Sequence, residues 1–277
     1  MEVRDVDLSG GATVRVEEAG AGPVVFLLHA GVADRHMWDR QWEWLQKGFR
    51  VVRWDWRGFG ETPHVPGPFS YSADVIAIMD ALDIPRATLM GCSFGGATAL
   101  KVAAEHPDRV ERLVLSGPGV PGYAGKNPPE VEALFEEADS AERAGDGAKL
   151  LAVMEQAWLV GPAREASDVD PQYLESAREL LRRADRPDNG AESSDVGFSA
   201  LDALPTLDIP VLVIVGLEDV PDILDAVQFL GRTLPQVQVE EIEGAAHLPN
   251  MEKPRQFDAI LSDWLAATGG PARSIED

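Results

Sequence analysis

The feature that most constrains the fold of this chain is a serine between two glycines at the junction of two predicted elements, within residues 86–100. The first half of this segment is a short apolar run after Pro85, which predicts a buried strand, and the second half carries Ala, Leu and Val at helical spacing. Gly91 and Gly95 flank Ser93 in the pattern G-x-S-x-G. A strand that turns directly into a helix brings two backbones so close that flanking side chains would collide, and glycine has none. The pattern therefore predicts a strained turn whose serine hydroxyl projects from the sheet as a nucleophile.

Strands and helices alternate along most of the chain. Residues 3–8 and 12–17 alternate apolar and polar positions around Ser9-Gly10-Gly11, which predicts a hairpin at the edge of a sheet. Further strands are predicted at residues 23–28, 50–56, 86–92, 110–115, 210–216 and 237–242, and helices at residues 37–45, 72–82, 94–105, 221–230 and 255–267. This order is typical of an α/β protein with a mostly parallel sheet and helices on both faces.

The alternation of predicted strands and helices is interrupted between residues 117 and 204. This stretch opens with Gly117-Pro118-Gly119, lacks strand-like runs, and has charged helical patterns at residues 129–144, 148–159 and 171–184. A polar loop follows at residues 185–199, and we expect it to be mobile. We therefore predict a core domain made of residues 1–117 and 205–268. A helical cap over residues 118–204 would interrupt it, and a disordered tail over residues 269–277 would follow it.

A serine hydroxyl needs a base, most often a histidine that a carboxylate orients. Active sites of parallel sheets form where strands reach their carboxyl edge. His247 follows the last predicted strand at that edge and is the candidate base for Ser93. His29 also follows a strand, but its place against the strand end favours a buried structural role. The other histidines fall at a helix start, in a Pro-rich loop and at a helix end, where no chemistry is needed: His36, His64 and His106.

The carboxylate that orients the base should also follow a strand. Gly216-Leu217-Glu218-Asp219 comes directly after the strong apolar strand that begins at residue 210. We predict Asp219 as the acid because three residues beyond the glycine the chain should turn back over the sheet. Glu218 is the alternative.

An acyl-transfer site also needs hydrogen-bond donors for the oxyanion. One donor is the backbone N–H of Phe94, which follows the nucleophile at the start of a helix whose dipole favours negative charge. The second should come from the loop after the strand at residues 23–28, where Gly31 is the natural donor. Loss of one such donor typically raises the barrier by about 3 kcal/mol.

With these motifs in this order, the chain resembles the α/β-hydrolase fold superfamily, in particular single-chain esterases, lactonases and carbon-carbon hydrolases with a helical cap. The motifs that carry the resemblance are His29-Ala30-Gly31, Asp55-Trp56-Arg57-Gly58-Phe59-Gly60, Gly91-Cys92-Ser93-Phe94-Gly95-Gly96, Gly216-Leu217-Glu218-Asp219 and Gly244-Ala245-Ala246-His247. The resemblance covers nearly the whole chain outside the predicted cap and tail, and Ala30 and Ala246 stand where the family usually has glycine.

The resemblance implies an eight-stranded sheet whose second strand is antiparallel. It also implies the roles of five residues. Ser93 would be the nucleophile, Asp219 the acid and His247 the base, while Gly31 and Phe94 would form the oxyanion hole.

The leading hypothesis is a serine hydrolase that cleaves a small or medium carboxylic ester or lactone through an acyl-enzyme, without metal or cofactor. The same triad could instead serve a carbon-carbon hydrolase, a perhydrolase or an acyltransferase, which the fold does not separate. A third hypothesis is a ligand-sensing or partner-binding protein with slow turnover. An aspartate-nucleophile dehalogenase or epoxide hydrolase is disfavoured because the turn carries Ser93. The candidates for an apolar substrate pocket, besides Phe94, are Trp38, Trp158 and Leu248.

Net charge and composition argue against several classes of binding partner and against a membrane span. The net charge of −23 argues against nucleic acids and anionic membranes, because both are polyanions that would repel the chain. The single cysteine, Cys92, excludes an internal disulfide and fits a reducing compartment. The first residues lack a basic region followed by an apolar core, and the longest apolar run, Val24–Leu28, is too short to span a bilayer. We therefore expect a soluble cytoplasmic protein acting on a small molecule, with its oligomeric state left open.

Overall fold

The computed structural model describes residues 1–184 and 191–271, and within these residues eight strands form one main sheet. The strands of the chain are β1 (Glu2–Asp7), β2 (Thr13–Ala19), β3 (Val24–Leu28), β4 (Arg50–Arg53), β5 (Gly67–Phe69), β6 (Ala87–Cys92), β7 (Val110–Ser116), β8 (Ala191–Ser193), β9 (Val211–Gly216) and β10 (Val237–Ile242). The order across the main sheet is β1-β2-β4-β3-β6-β7-β9-β10. Strand β2 is antiparallel to both of its neighbours, and the other neighbouring pairs are parallel. The mostly parallel eight-stranded sheet with a hairpin at its edge is thereby confirmed.

The helices lie close to their predicted positions. They are α1 (Asp39–Leu45), α2 (Tyr71–Ala81), α3 (Phe94–Glu105), α4 (Pro129–Ala144), α5 (Gly147–Met154), α6 (Pro171–Ala184), α7 (Pro221–Thr233), α8 (Pro249–Glu252) and α9 (Pro254–Ala267). A π-helical turn, Glu155–Val160, continues α5. The short helix α8 was not predicted. No helix in the described part of the chain combines the length and the apolar composition needed to cross a bilayer.

The central strands are buried on both faces, which is what continuous apolar runs predict. In β3, Phe26 packs into the hydrophobic cluster on one face of the sheet and Leu27 into the cluster on the other. Strand β9 divides in the same way, with Val213 on the first face and Ile214 on the second. The two clusters hold the strands in place, so the loops at their carboxyl ends start from a rigid base.

The expectation of a strand-free loop at residues 185–199 is wrong in part. Strand β8 falls within it and pairs in parallel with β5, which lies in the Pro-rich loop before α2. The carboxylate of Asp195 then accepts hydrogen bonds from Ser70 Oγ (2.6 Å) and from the Tyr71 N–H (2.7 Å). Three-residue strands have no readable alternation, and their pairing joins distant parts of the chain. Residues 185–190 of the predicted mobile loop lie outside the described residues.

The first two residues of the predicted disordered tail, Gly269 and Gly270, are hydrogen-bonded to the last helix. The N–H of Gly269 donates to the carbonyl of Ala266 (3.3 Å), and the N–H of Gly270 donates to the carbonyl of Leu265 (2.7 Å), so both residues close the end of α9. The rest of the predicted tail, residues 272–277, lies outside the described residues.

Candidate active site

Ser93 stands between β6 and α3 with φ of 52° and ψ of −113°. A positive φ is unfavourable for a residue with a side chain and costs about 1–3 kcal/mol. Hydrogen bonds hold this conformation in place. The N–H of Ser93 donates to the Ser116 carbonyl (2.9 Å), and the Ser93 carbonyl accepts from the N–H groups of Ala97 (2.9 Å) and Gly119 (3.3 Å). The strained turn predicted from the sequence is therefore present.

The two glycines that flank Ser93 are required by close backbone contacts. A Cβ atom at Gly91 would overlap the carbonyl of Gly95, and a Cβ atom at Gly95 would overlap the carbonyl of Leu28. These overlaps involve backbone atoms of rigid elements, which cannot move aside easily. The spacing of the motif thus reflects how tightly α3 packs back onto β6 and β3.

His247 and Asp219 form a buried pair in the loops after β10 and β9. His247 Nδ1 lies 2.8 Å from Asp219 Oδ2 and 3.0 Å from Oδ1. Both residues are almost completely buried, at 1% and 3% exposure. An ionised carboxylate has no proton to donate, so Nδ1 carries the hydrogen and Nε2 remains the acceptor of the ring. Asp219, and not the alternative Glu218, contacts the histidine. The N–H of Glu218 instead donates to the Ala245 carbonyl (2.9 Å) and joins the two loops.

The His247–Asp219 pair and the Ser93 turn lie next to each other at the same end of the sheet. Cys92 Sγ lies 3.6 Å from the carbonyl oxygen of His247. Gly117, which follows the Ser116 carbonyl that holds Ser93, faces the pair directly. A Cβ atom at Gly117 would lie 2.9 Å from Asp219 Oδ2 and 3.4 Å from His247 Nδ1. Residues far apart in the sequence thus meet around the carboxyl ends of β6, β7, β9 and β10.

A buried ion pair that the sequence analysis missed supports the loop of His247. Arg164 donates to both carboxylate oxygens of Glu252, over 2.9 Å and 3.2 Å, and to the carbonyl of Gly244 (3.1 Å). The same Glu252 carboxylate accepts the N–H of Ala246 over 2.7 Å. Arg164 belongs to the predicted cap and Glu252 to the core, so their pairing has no local signal in the sequence. The pair holds the backbone on the amino-terminal side of His247.

His29 has the structural role that its position predicted. Its Nε2 accepts a hydrogen bond from the N–H of Trp56 (3.0 Å), so Nδ1 carries the proton and donates to the carbonyl of Ala30 (2.8 Å). Burial lowers the pKa of His29 below its ordinary value. With both ring nitrogens engaged, the neutral side chain ties the end of β3 to the loop after β4.

We expect the neutral state of His29 to make stability depend on pH. Unfolded histidine binds a proton below about pH 6.5, whereas the folded ring resists protonation, so stability falls as the pH drops below that value. The slope is at most about 1.4 kcal/mol per pH unit and persists down to the lower folded pKa. Urea unfolding at pH 7.5 and 5.5 should show this loss in the wild type and a smaller loss in His29→Gln, which keeps a donor and an acceptor.

His36→Gln is the control for this experiment. The hydrogen bond that His36 donates to the Asp39 carboxylate raises the pKa of this partly exposed histidine, so its contribution to stability is present below about pH 6.5 and is lost as the pH rises. Replacement of His36 should therefore make stability fall more steeply as the pH drops, which is the opposite of the effect expected for His29→Gln. An unchanged pH dependence in His29→Gln would show that His29 is not the group responsible.

The residues predicted to supply the oxyanion donors are neighbours. A Cβ atom at Gly31 would lie 3.8 Å from Phe94 Cβ. Phe94 is the first residue of α3, where a backbone N–H has no acceptor within the helix. The ring of Phe94 is fixed by Trp56, Phe59 and Tyr71, whose ring centroids lie 5.7, 6.2 and 4.8 Å away.

Among the candidate pocket residues, Phe94 lines a cavity of about 320 Å³ beside Tyr71, and Trp158 lines a different cavity. Trp158 lines this cavity of about 370 Å³ together with Gly31, and its ring lies 4.4 Å from that of His247. Trp38 and Leu248 have no accessible surface and belong to the hydrophobic core, where Trp38 packs on Phe257. The pocket role predicted for these two residues is corrected to core packing, because a side chain without accessible surface cannot touch a substrate.

Two further ionisable groups lie near the His247–Asp219 pair. Burial raises the pKa of the Cys92 thiol, so this side chain is a packed and unreactive group. Burial also raises the pKa of Asp222, and the negative charge of Asp219 raises it further. Within the described residues, no group of three or more His, Cys, Asp or Glu side chains is arranged to hold a metal ion.

The chain is similar to a known protein family, to characterised enzymes and to solved structures. The model of the alpha/beta hydrolase fold family matches residues 23–254. A 3-oxoadipate enol-lactonase of Acinetobacter baylyi is 28% identical over 80% of both chains. A 2-hydroxymuconate semialdehyde hydrolase of a Pseudomonas species is 28% identical over 96% of this chain and 95% of its own. The structure of a thermophilic esterase from Thermogutta terrifontis is 28% identical, with a TM-score of 0.77 over 97% of this chain and 99% of its own. The similar proteins thus share one fold and differ in their named activities.

Proposed function

This chain belongs to the α/β hydrolase fold family, and we propose that it is a serine hydrolase of small or medium carboxylic esters or lactones. Ser93 would be its nucleophile, His247 its base and Asp219 its acid. The observation that carries the proposal is the buried hydrogen bond from His247 Nδ1 to the Asp219 carboxylate beside the strained Ser93 turn. The similarity to an esterase over nearly the whole chain also supports it.

The first half of the reaction forms an acyl-enzyme. Ser93 Oγ attacks the ester carbonyl carbon while His247 Nε2 takes the hydroxyl proton, and Asp219 stabilises the imidazolium that results. The negative charge moves to the former carbonyl oxygen, where the backbone N–H groups of Gly31 and Phe94 would stabilise it. When this intermediate collapses, the C–O bond breaks and His247 gives its proton to the departing alcohol.

The second half of the reaction reuses the same groups. A water molecule enters, His247 Nε2 takes one of its protons, and the resulting hydroxide attacks the acyl carbon. The second tetrahedral intermediate then expels Ser93 Oγ, which recovers its proton from His247 and leaves a carboxylic acid as product. No group outside the triad and the oxyanion donors is needed to balance these steps.

The helical insertion, residues 118–204, would act as a cap over this site, between the two parts of the core domain. Trp158, in the π-helical turn of the insertion, packs on the ring of His247, and its carbonyl accepts the N–H of His247 (3.3 Å). Arg164 of the same insertion binds Glu252 behind the His247 loop. The insertion therefore contacts the site at two points, which suits a segment that shapes the substrate pocket and excludes water.

A carbon-carbon hydrolase is the second candidate function. The similarity to a 2-hydroxymuconate semialdehyde hydrolase over 96% of this chain favours it. In that reaction the same triad would cleave a C–C bond next to a carbonyl, and the leaving carbanion, rather than an alkoxide, would need the proton. Parallel assays with p-nitrophenyl esters and a vinylogous 1,5-diketone separate the two functions by the bond that is cleaved.

A fluorophosphonate probe tests the proposed nucleophile. It should add one phosphonyl group to the peptide containing Ser93 and abolish hydrolysis of p-nitrophenyl acetate. Ser116→Ala is the matched control, because its backbone still holds Ser93, and it should be labelled like the wild type. Labelling at another residue, or full activity after labelling of Ser93, would refute the proposed triad.

A further inference from the structure

The cavity beside Gly31 has apolar walls and an acidic mouth. Gly31, Phe59 and Trp158 line it on the side of the proposed triad, and Phe135 and Met154 of the insertion are among its apolar walls. At about 370 Å³, it has the size and lining of a small-molecule pocket. Since Gly31 is a proposed oxyanion donor and Trp158 packs on His247, a substrate held at Ser93 would extend into this space.

Two carboxylates stand at the mouth of this cavity. Asp139 and Glu142 lie one turn apart on α4, and both line the cavity while remaining exposed to solvent. Neither side-chain carboxylate has a hydrogen bond or an ion pair with any described residue. Lys149, the nearest lysine along the chain, pairs instead with Glu137 over 2.9 Å. No ion pair between described residues therefore neutralises either carboxylate.

The described lining of the cavity carries no positive charge that could balance these two carboxylates. Among the described residues that line the cavity, none is a lysine, an arginine or a histidine. The net charge of −23 adds a negative field over the whole molecule. A substrate group that carries a carboxylate into this cavity would thus meet two like charges at the mouth and an apolar wall beyond them.

We propose that Asp139 and Glu142 are specificity-determining residues that make this hydrolase select uncharged, apolar esters and reject esters carrying a carboxylate. This inference rests on the proposed function and adds the substrate class. Alkyl or aryl groups gain from burial against Phe59, Phe135 and Met154, whereas an anion loses hydration and is repelled. The same repulsion would drive the anionic product of hydrolysis away from the site.

The test compares dimethyl adipate with monomethyl adipate, which is an anion at pH 7.5. The two substrates share one acyl chain, and kcat/KM is taken per ester bond. The wild type should favour the neutral ester by at least about tenfold. The double variant Asp139→Lys/Glu142→Lys should reduce that ratio about tenfold or more, and 0.5 M salt should reduce it in the wild type. Inhibition by the adipate product should be weak in the wild type and stronger in the double variant.

Glu136→Lys is the matched control. It makes the same charge change on an exposed residue of α4 that does not line the cavity, so it should leave the ratio within about twofold of the wild type. A wild-type ratio near one would overturn the inference, as would a ratio that survives the double charge reversal. Absence of turnover on both esters together with absence of Ser93 labelling would instead overturn the proposed function.

Discussion

Replacement of Ser93 with alanine is expected to lower kcat/KM for p-nitrophenyl acetate by at least about 10⁴-fold. The variant loses the only atom proposed to form the acyl-enzyme, and the remaining rate would come from water attack assisted by the oxyanion donors. The fold should be kept, because alanine has the same Cβ atom as serine and meets the same strain at a φ of 52°. The measurements are steady-state kinetics and the thermal midpoint of unfolding.

When two residues act in the same catalytic step, the losses of activity in the two single variants do not multiply in the double variant, and this provides a second check. His247→Ala should lose activity to a similar extent, and the double variant Ser93→Ala/His247→Ala should be no slower than the more damaged single variant. Losses that multiply would show that the two side chains act in separate steps. More than about 1% residual activity in Ser93→Ala would place the nucleophile elsewhere.

Replacement of Arg164 with methionine is expected to destabilise the protein by about 3–5 kcal/mol. The side chain of Glu252 is only 2% exposed, and without Arg164 its carboxylate would be buried with the Ala246 N–H as its remaining donor. Activity should fall as well, because the released loop carries His247, and small displacements of a catalytic group cost up to about 100-fold. Urea unfolding and kcat measured on the folded protein separate the two effects.

The double variant Arg164→Met/Glu252→Gln is the control for this prediction. It removes both charges together, so no unpaired ion remains buried, and it should recover most of the lost stability. Glu252→Gln alone leaves Arg164, which still donates to the carbonyls of Gly244 and Val160, and should be less damaging than Arg164→Met. Equal stability of all three variants would show that the ion pair has no role in holding the loop.

Local patterns predicted most of the fold. The boundaries of α4 and α6 and the two strands of the β1–β2 hairpin follow from spacing that repeats within one element. The β5–β8 pair and the helix α8 were missed because they are too short to show a period. Strand β4 ends at Arg53 rather than at residue 56, because the chain leaves the sheet there although Trp54 and Trp56 are apolar.

Residues of the candidate site could be predicted only where both the residue type and its position in the chain fit a catalytic role. Asp219 was distinguished from Glu218 by the expected path of the loop, and the structure places the Asp219 carboxylate on His247. Trp38, Leu248 and Trp158 are equally apolar in the sequence, and only packing shows that Trp158 alone of the three lines a described cavity.

The amino-acid sequence by itself determined the strained serine turn, the order of strands and helices, and the acidic character of the surface. Each of these depends on neighbours in the chain or on composition alone. Tertiary structure decided which charges lie together. The Arg164–Glu252 pair behind His247, and the position of Asp139 and Glu142 at the mouth of the cavity, arise when the insertion folds against the core. Contacts between segments so far apart leave no periodic trace in the sequence, because burial and pairing are set by the packing of whole elements.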